Sequence, residues 1–261
     1  MATVRNLAAI YWKEMRSYFG SPIAYVMAGV FLFFTGYIFQ NLVFEFHQMS
    51  RYYAQDQLAS QRGGINANDV IVTDFYSLQF FIWLIVTPML TMRLYAEEQR
   101  QGTFELLMTS PVTILQVLLG KFLACFSLYA IIEIGALSLL SVLSFYATVE
   151  WGPILSALLA ALLLGATFIS VGIFASSITE NQIVAAVVSF FLLLLLWFID
   201  WSSRFVDPLW AGILRYLSIL AHMEDMNRGV IDTIDIAFFF SLTAFFLFLT
   251  HTLIESRRWR V

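Results

Sequence analysis

Residues 151–199 read WGPILSALLAALLLGATFISVGIFASSITENQIVAAVVSFFLLLLLWFI, and Glu180 is the only formal charge among them. A helix needs about 20 mostly apolar residues to cross ~30 Å of hydrocarbon. The stretch therefore holds two crossings, 151–179 and 181–199, joined by a tight turn at Glu180-Asn181. The rest of the chain has the same character. Of 261 residues, 60% are hydrophobic and 12% charged, with 26 Phe and 7 Trp. That is about half the ~25% charged share of soluble domains. Mean hydropathy is +0.80. One core cannot hide so much apolar surface, which excludes a water-soluble globule. A net charge of -4, with no basic run longer than Arg257-Arg258-Trp259-Arg260, excludes a nucleic-acid binder. Cys125 is the sole cysteine, so no intrachain disulfide forms.

Outward from 151–199, further charge-free runs occupy 17–44, 75–92 and 236–254, and 122–149 carries only Glu133. The expected fold is all-α: a single six-span domain over 1–261. Its spans lie near 21–44, 75–92, 122–149, 151–179, 181–199 and 236–254. A segment at 1–20 precedes them, and a cytoplasmic segment at 93–121 and an outer segment at 200–235 connect them. Thr87-Pro88 should kink the second span without ending it. The first apolar run is longer than a signal-peptide core and follows Trp12 and Glu14, so it is expected to stay in the chain. Nine of the 14 Lys and Arg fall at the two ends and in 93–121, and most of the acids fall in the other connections. Basic residues favour the cytoplasm, so both termini are expected there, in a multi-pass protein of the inner membrane. The chain shows no internal repeat.

Val4, Leu7, Ala8, Tyr11, Met15 and Tyr18 recur at three- and four-residue intervals, with Trp12 and Phe19 at the edge of the stripe. This pattern describes an interfacial helix in which Tyr11, Trp12, Met15 and Tyr18 anchor the first span or face a cytoplasmic partner. In 93–121, Gly102-Thr103 reads as a helix break followed by an N-cap, and Phe104 to Met108 as a short helix stopped by Ser110-Pro111. The result is an exposed knuckle. Phe104, Leu106, Leu107 and Met108 require either the bilayer or a partner's groove, unlike a solvated loop. Residues 208–220 are apolar but too short to span, and fit a re-entrant or surface helix. Small residues at Ala157, Ala161, Gly165 and Gly172 would let neighbouring helices approach the fourth span.

Catalytic chemistry is missing from this pattern. Near Gly120-Lys121, Leu115 and Phe122 stand where a phosphate loop needs Gly and Ser or Thr. ATP hydrolysis is therefore not expected in this chain. His47, His222 and His251 lie in separate segments without metal-ligand spacing, and His222 with Glu224 and Asp225 reads as a hydrated outer turn. Glu133, the one ionisable residue well inside a span, should pair with a polar group or line a substrate path.

The run Met92-Arg93-Leu94-Tyr95-Ala96-Glu97-Glu98-Gln99-Arg100-Gln101-Gly102-Thr103-Phe104-Glu105-Leu106-Leu107-Met108-Thr109-Ser110-Pro111, then Leu119-Gly120-Lys121-Phe122, resembles the segment between the second and third spans of ABC-2 type permeases. Gly172 to Gln182 and Asn227 to Asp232 are similar to the gliding-motility-associated branch of that family. The resemblance implies a short cytoplasmic coupling helix, formed here by Glu97, Glu98, Arg100, Gly102, Thr103, Phe104 and Glu105, and an interfacial helix that includes Tyr11 to Tyr18. It also implies a cytoplasmic ABC ATPase subunit that carries ATP and Mg, a second permease chain (homodimer or heterodimer), and transport, with export or motility as its purpose. No cofactor is expected in this chain itself, and no role at Glu133 transfers. A periplasmic or auxiliary membrane subunit is a further expected partner. The rival expectation is a non-transporting membrane scaffold that anchors a periplasmic or motility complex on the acidic outer loops at 45–74 and 200–235, and a carrier reading would rest on Glu133 alone.

Overall fold

The structure, a computed structural model, describes residues 2–55, 68–104, 112–145, 149–203 and 205–258. It begins with α1 (Ala2–Gly20) and α2 (Pro22–Gln55). A single π-helical turn at Asn68–Val72 then leads into α3 (Thr73–Thr91), followed by α4 (Arg93–Arg100) and α5 (Ile114–Leu143). The chain continues through α6 (Trp151–Ile178), α7 (Gln182–Ser203), α8 (Pro208–Tyr216), α9 (Ile219–Asn227) and α10 (Thr233–Arg258). Among the described residues, six helical stretches are long and apolar enough to cross a membrane: Pro22–Tyr53, Val70–Arg100, Ile114–Leu143, Trp151–Ile178, Gln182–Ile199 and Thr233–Arg257. The protein is an all-α polytopic membrane protein.

Several helices outrun the charge-free stretches because hydrocarbon excludes charge whereas the helix itself can continue into the head-group layer. α2 runs on past Glu45 to Gln55. α5 starts at Ile114, eight residues before the run that begins at Phe122, because Thr113 and Gln116 form a capping box. The Thr113 hydroxyl accepts from Gln116 N at 3.3 Å and the Gln116 side chain accepts from Thr113 N at 3.1 Å, so the Thr113 amide gains a partner and Gln116 N a second acceptor beside the Thr113 carbonyl. Lys121 thus becomes a helical residue two turns into the span.

α6 is the central post, packed against α3, α4, α5, α7, α9 and α10. Its Ala157, Ala160, Ala161, Leu164, Gly165 and Phe168 are buried, and the small side chains among them admit neighbouring helices. By contrast, Val26, Val30, Phe33 and Tyr37 of α2 and Ile183, Val187, Phe191 and Leu195 of α7 point out of the bundle. Such outward apolar surface is compatible with lipid and incompatible with water.

The outer segment departs from the sequence expectation. Residues 208–220 do not form one helix: the chain breaks at Leu217 and restarts where the Ser218 hydroxyl accepts from Ala221 N at 3.2 Å. No residue of α8 is buried, whereas α9 buries Ile219, Met223 and Met226. His222 is not in a hydrated turn. It is buried, with Nδ1 2.6 Å from Asp235 Oδ1, Nε2 2.9 Å from the Tyr216 carbonyl, and its ring stacked on Phe238. The partner that draws it inward is Asp235, thirteen residues on at the start of α10, rather than adjacent Glu224 and Asp225. At the opposite end of the bundle, α1 meets α4 through Lys13 and Glu98, and α10 meets α4 through Arg257 and Gln99. Both ends of the described chain therefore lie on one side.

Candidate functional site

The terminus-side end of the bundle is organised around α4. Pro88 lies inside α3, and the regular helix is interrupted at Met92, one turn beyond it. The first amides of α4 have no cap from their own segment. Ser176 of α6 supplies one: its hydroxyl accepts from Tyr95 N and Ala96 N, both at 3.1 Å, and donates to the Met92 carbonyl at 2.9 Å. A hydroxyl from another helix thus satisfies the groups exposed by the break. One turn on, Gln99 donates to the Ser177 carbonyl at 3.1 Å. Arg257 of α10 donates to Gln99 Oε1 at 2.8 Å and to the Ile178 carbonyl at 2.9 Å.

The opposite side of α4 carries charge. Lys121 of α5 is 2% exposed, and its ammonium donates to the Leu94 carbonyl at 2.7 Å, Glu98 Oε1 at 2.8 Å and Glu14 Oε1 at 3.1 Å. Three donors meet three acceptors, the condition under which a buried ammonium is tolerable. The Tyr95 ring lies 5.2 Å from the same ammonium. Lys13, at the solvent edge, reaches Glu98 Oε1 at 3.3 Å and Glu14 Oε1 at 3.5 Å. Partial burial opposes the charge on Lys13, but Glu14 and Glu98 outweigh it and hold the lysine above its ordinary value.

The amphipathic stripe explains how Glu14 gets there. Met15 is buried, Tyr11 and Tyr18 are half-buried and Trp12 is 60% exposed, so α1 lays its stripe on α5 while Trp12 faces outward. Gly120 permits the approach, since a Cβ there would lie 2.8 Å from Ile10 Cγ2. Tyr11 donates to the Ser127 hydroxyl at 3.1 Å.

Among the expected coupling residues, Glu98 turns inward to Lys121, whereas Glu97 is half-buried and accepts from Gln101 at 3.2 Å. Arg100, Gly102 and Thr103 are exposed. Gly102 adopts φ +70°, a left-handed conformation that ends α4, and Thr103 donates back to the Glu98 carbonyl at 3.3 Å. Phe104 is half-buried edge-on against Tyr95, with centroids 6.3 Å apart. Glu105, and the helix expected to continue to Met108, lie outside the described residues. Sequence reasoning missed Lys121, Glu14, Ser176, Gln99 and Arg257. Lys121 did carry one signal: it is the last charge before a span, and it directly follows a glycine.

Glu133 lies deeper and is not part of this cluster. It is 1% exposed, and Oε2 accepts from Trp83 Nε1 at 2.9 Å. The Trp83 ring sits 4.2 Å from both the Phe31 and Tyr129 rings, so the donor is rigidly aimed. Oε1 has no partner among the described residues. Glu133→Gln keeps an oxygen for Trp83 and is expected to shift stability by under ~1 kcal/mol, whereas Glu133→Leu orphans the indole N–H at a cost of about 1–3 kcal/mol. Melting of the detergent-purified variants checks this, and equal melting points would refute the pairing.

A family model described as ABC-2 family transporter protein matches residues 8–232. That span takes in most of α1 and the whole of α2 to α9. No curated protein matches the chain.

Proposed function

The chain belongs to the ABC-2 transporter family, and from that premise we propose that it is a permease subunit driven by a separate cytoplasmic ATPase that binds ATP and Mg. The observation that carries this reading is the bonding of α4. One eight-residue helix is tied by Lys121 to α1 and α5, by Ser176 to α6 and by Arg257 to α10. A force applied at Gly102-Thr103-Phe104 therefore reaches four other helices through short polar contacts. Glu97, Arg100 and Thr103 form the approach surface, Glu98 holds the lever in place, and Phe104 with Glu105 leads into the contact itself. In this reading the end that carries both termini faces the cytoplasm and the chain sits in the inner membrane, and the excess of Lys and Arg at that end supports the cytoplasmic side.

A second permease chain, identical or different, completes the pathway, with the outward apolar faces of the bundle available to it. Glu133 serves as a structural partner of Trp83. The transporter acts as an exporter or in gliding motility, with an auxiliary subunit on the acidic outer loops.

Co-purification with candidate ATPases, beside ATPase and transport assays of the reconstituted complex, tests the reading. Phe104→Ala should weaken association or uncouple hydrolysis from transport, with a loss of about 1–3 kcal/mol, while Glu97→Gln should cost under ~1 kcal/mol. Gly102→Val should disturb coupling through its backbone alone, because nothing lies within 4 Å of a Cβ there and a β-branched residue resists φ +70°. Normal coupling in Phe104→Ala and Gly102→Val would leave the scaffold reading in place instead.

A further inference from the structure

A cavity of about 410 Å³ opens between α1, the start of α2, the end of α3 and α4. Its size is that of a small-ligand site, for which ~300–1,000 Å³ is usual. Its chemistry is graded. Ala24 and Met27 of α2 and Met89 and Leu90 of α3 make an apolar floor, and charged residues of α1, α4 and α5 make a wall. The floor residues belong to stretches long and apolar enough to cross a membrane, whereas Lys13 and Glu14 of the wall do not, a gradation that suits a ligand with one polar and one apolar end.

Lys121, Lys13, Glu14 and Glu98, all in that wall, neutralise one another. Two further wall residues do not. Arg93 makes no ion pair or hydrogen bond among the described residues, and its buried Nε has no partner. Glu97 receives only the neutral Gln101 amide. At i and i+4 on one helix, Arg93 and Glu97 stand about 5–6 Å apart at their Cβ atoms, close enough to pair. They do not pair, and the wall offers a separate cation and anion above an apolar floor.

We propose that this cavity holds a zwitterionic phospholipid of the terminus-side leaflet, its phosphate on Arg93, its primary ammonium on Glu97 and the start of its acyl chains on the Ala24–Met27 floor. The shared chemistry is phosphoethanolamine, in which two carbons separate phosphate from ammonium. An ammonium with three N–H donors suits a carboxylate already taking one amide bond, and a guanidinium suits a phosphate. The apolar floor selects the lipid over the free compound. This inference rests on membrane embedding and not on any ATPase partner.

The test is native mass spectrometry of the full-length, delipidated protein titrated with short-chain phosphatidylethanolamine, phosphatidylcholine and phosphatidylglycerol, and with soluble phosphoethanolamine. Phosphatidylethanolamine should bind several-fold more tightly than phosphatidylcholine, which lacks N–H donors, and than phosphatidylglycerol, which lacks the cation. Arg93→Gln and Glu97→Gln should each lower that affinity about tenfold, and Glu97→Gln should also erase the preference over phosphatidylglycerol. Met27→Trp, which fills the floor while sparing every charge, should lower binding of all three lipids. Elution volume and melting point confirm that each variant is folded. Equal binding of the three lipids would overturn the proposal, as would wild-type phosphatidylethanolamine binding in both charge variants. Binding of soluble phosphoethanolamine as tight as that of the lipid would overturn the assignment to a membrane ligand.

Discussion

Lys121→Met is expected to destabilise the protein by about 3–5 kcal/mol, the scale on which removing one member of a buried ion cluster acts. The loss comes from what remains. Glu14 and Glu98 both aim an oxygen at the vacated ammonium position, within 3.1 Å of it, and the Leu94 carbonyl loses its donor. Two mostly buried carboxylates then face each other with no interior cation between them. Lys13 already touches both and relieves part of the repulsion, but it sits at the solvent edge and cannot fill the interior position. Thermal unfolding in detergent should show a large drop in midpoint. A triple variant, Glu14→Leu with Lys121→Met and Glu98→Leu, should recover much of it, because well-packed apolar side chains often match a buried ion cluster in stability. A melting point near wild type for Lys121→Met would show that the cluster is dispensable.

A side chain at Gly165 should produce the second large effect. A Cβ built there falls on the Tyr129 ring, against Cε1 and Cζ. That ring cannot step aside: its hydroxyl donates to the Ala161 carbonyl at 2.7 Å and its face packs 4.2 Å from Trp83, which in turn holds Glu133. Gly165→Ala should therefore cost about 1–3 kcal/mol by overpacking, and Gly165→Leu more, with loss of folded yield. Adding Tyr129→Leu to Gly165→Ala should restore part of the loss by opening the space. Gly120→Ala is the comparison, since there the nearest atoms, Ile10 Cγ2 at 2.8 Å and Cβ at 3.0 Å, lie farther from the added Cβ than the Tyr129 ring atoms do, and a smaller drop is expected. Equal tolerance at both glycines would mean that α5 and α6 separate easily.

The two sites also mark what the sequence could and could not disclose. The six apolar stretches were legible because hydrocarbon excludes charge, a rule that each segment obeys without reference to any other. The amphipathic stripe of α1 and the break at Gly102 were legible for the same local reason. Helix limits were not, because α2 and α5 continue through residues that water or partners accommodate. Least legible were the pairings. Lys121 finds Glu14 at a separation of 107 residues and Glu98 at 23, and Trp83 finds Glu133 at 50. No periodicity encodes such distances. His222 was misread because its nearest acids in sequence are exposed, whereas Asp235 reaches it only after the chain has turned back.

Ser176 has a mechanical meaning of its own. A bend between two helices usually leaves a free swivel, so that the outer piece can rotate without telling the inner bundle. Here one hydroxyl grips both sides of the bend, the Met92 carbonyl before it and the Tyr95 and Ala96 amides after it, and that hydroxyl belongs to the post on which the other spans lean. The swivel is locked. Any rotation of residues 93–100 about Met92 must either break three hydrogen bonds together or carry the end of α6 with it, so α4 is braced against turning independently of the post.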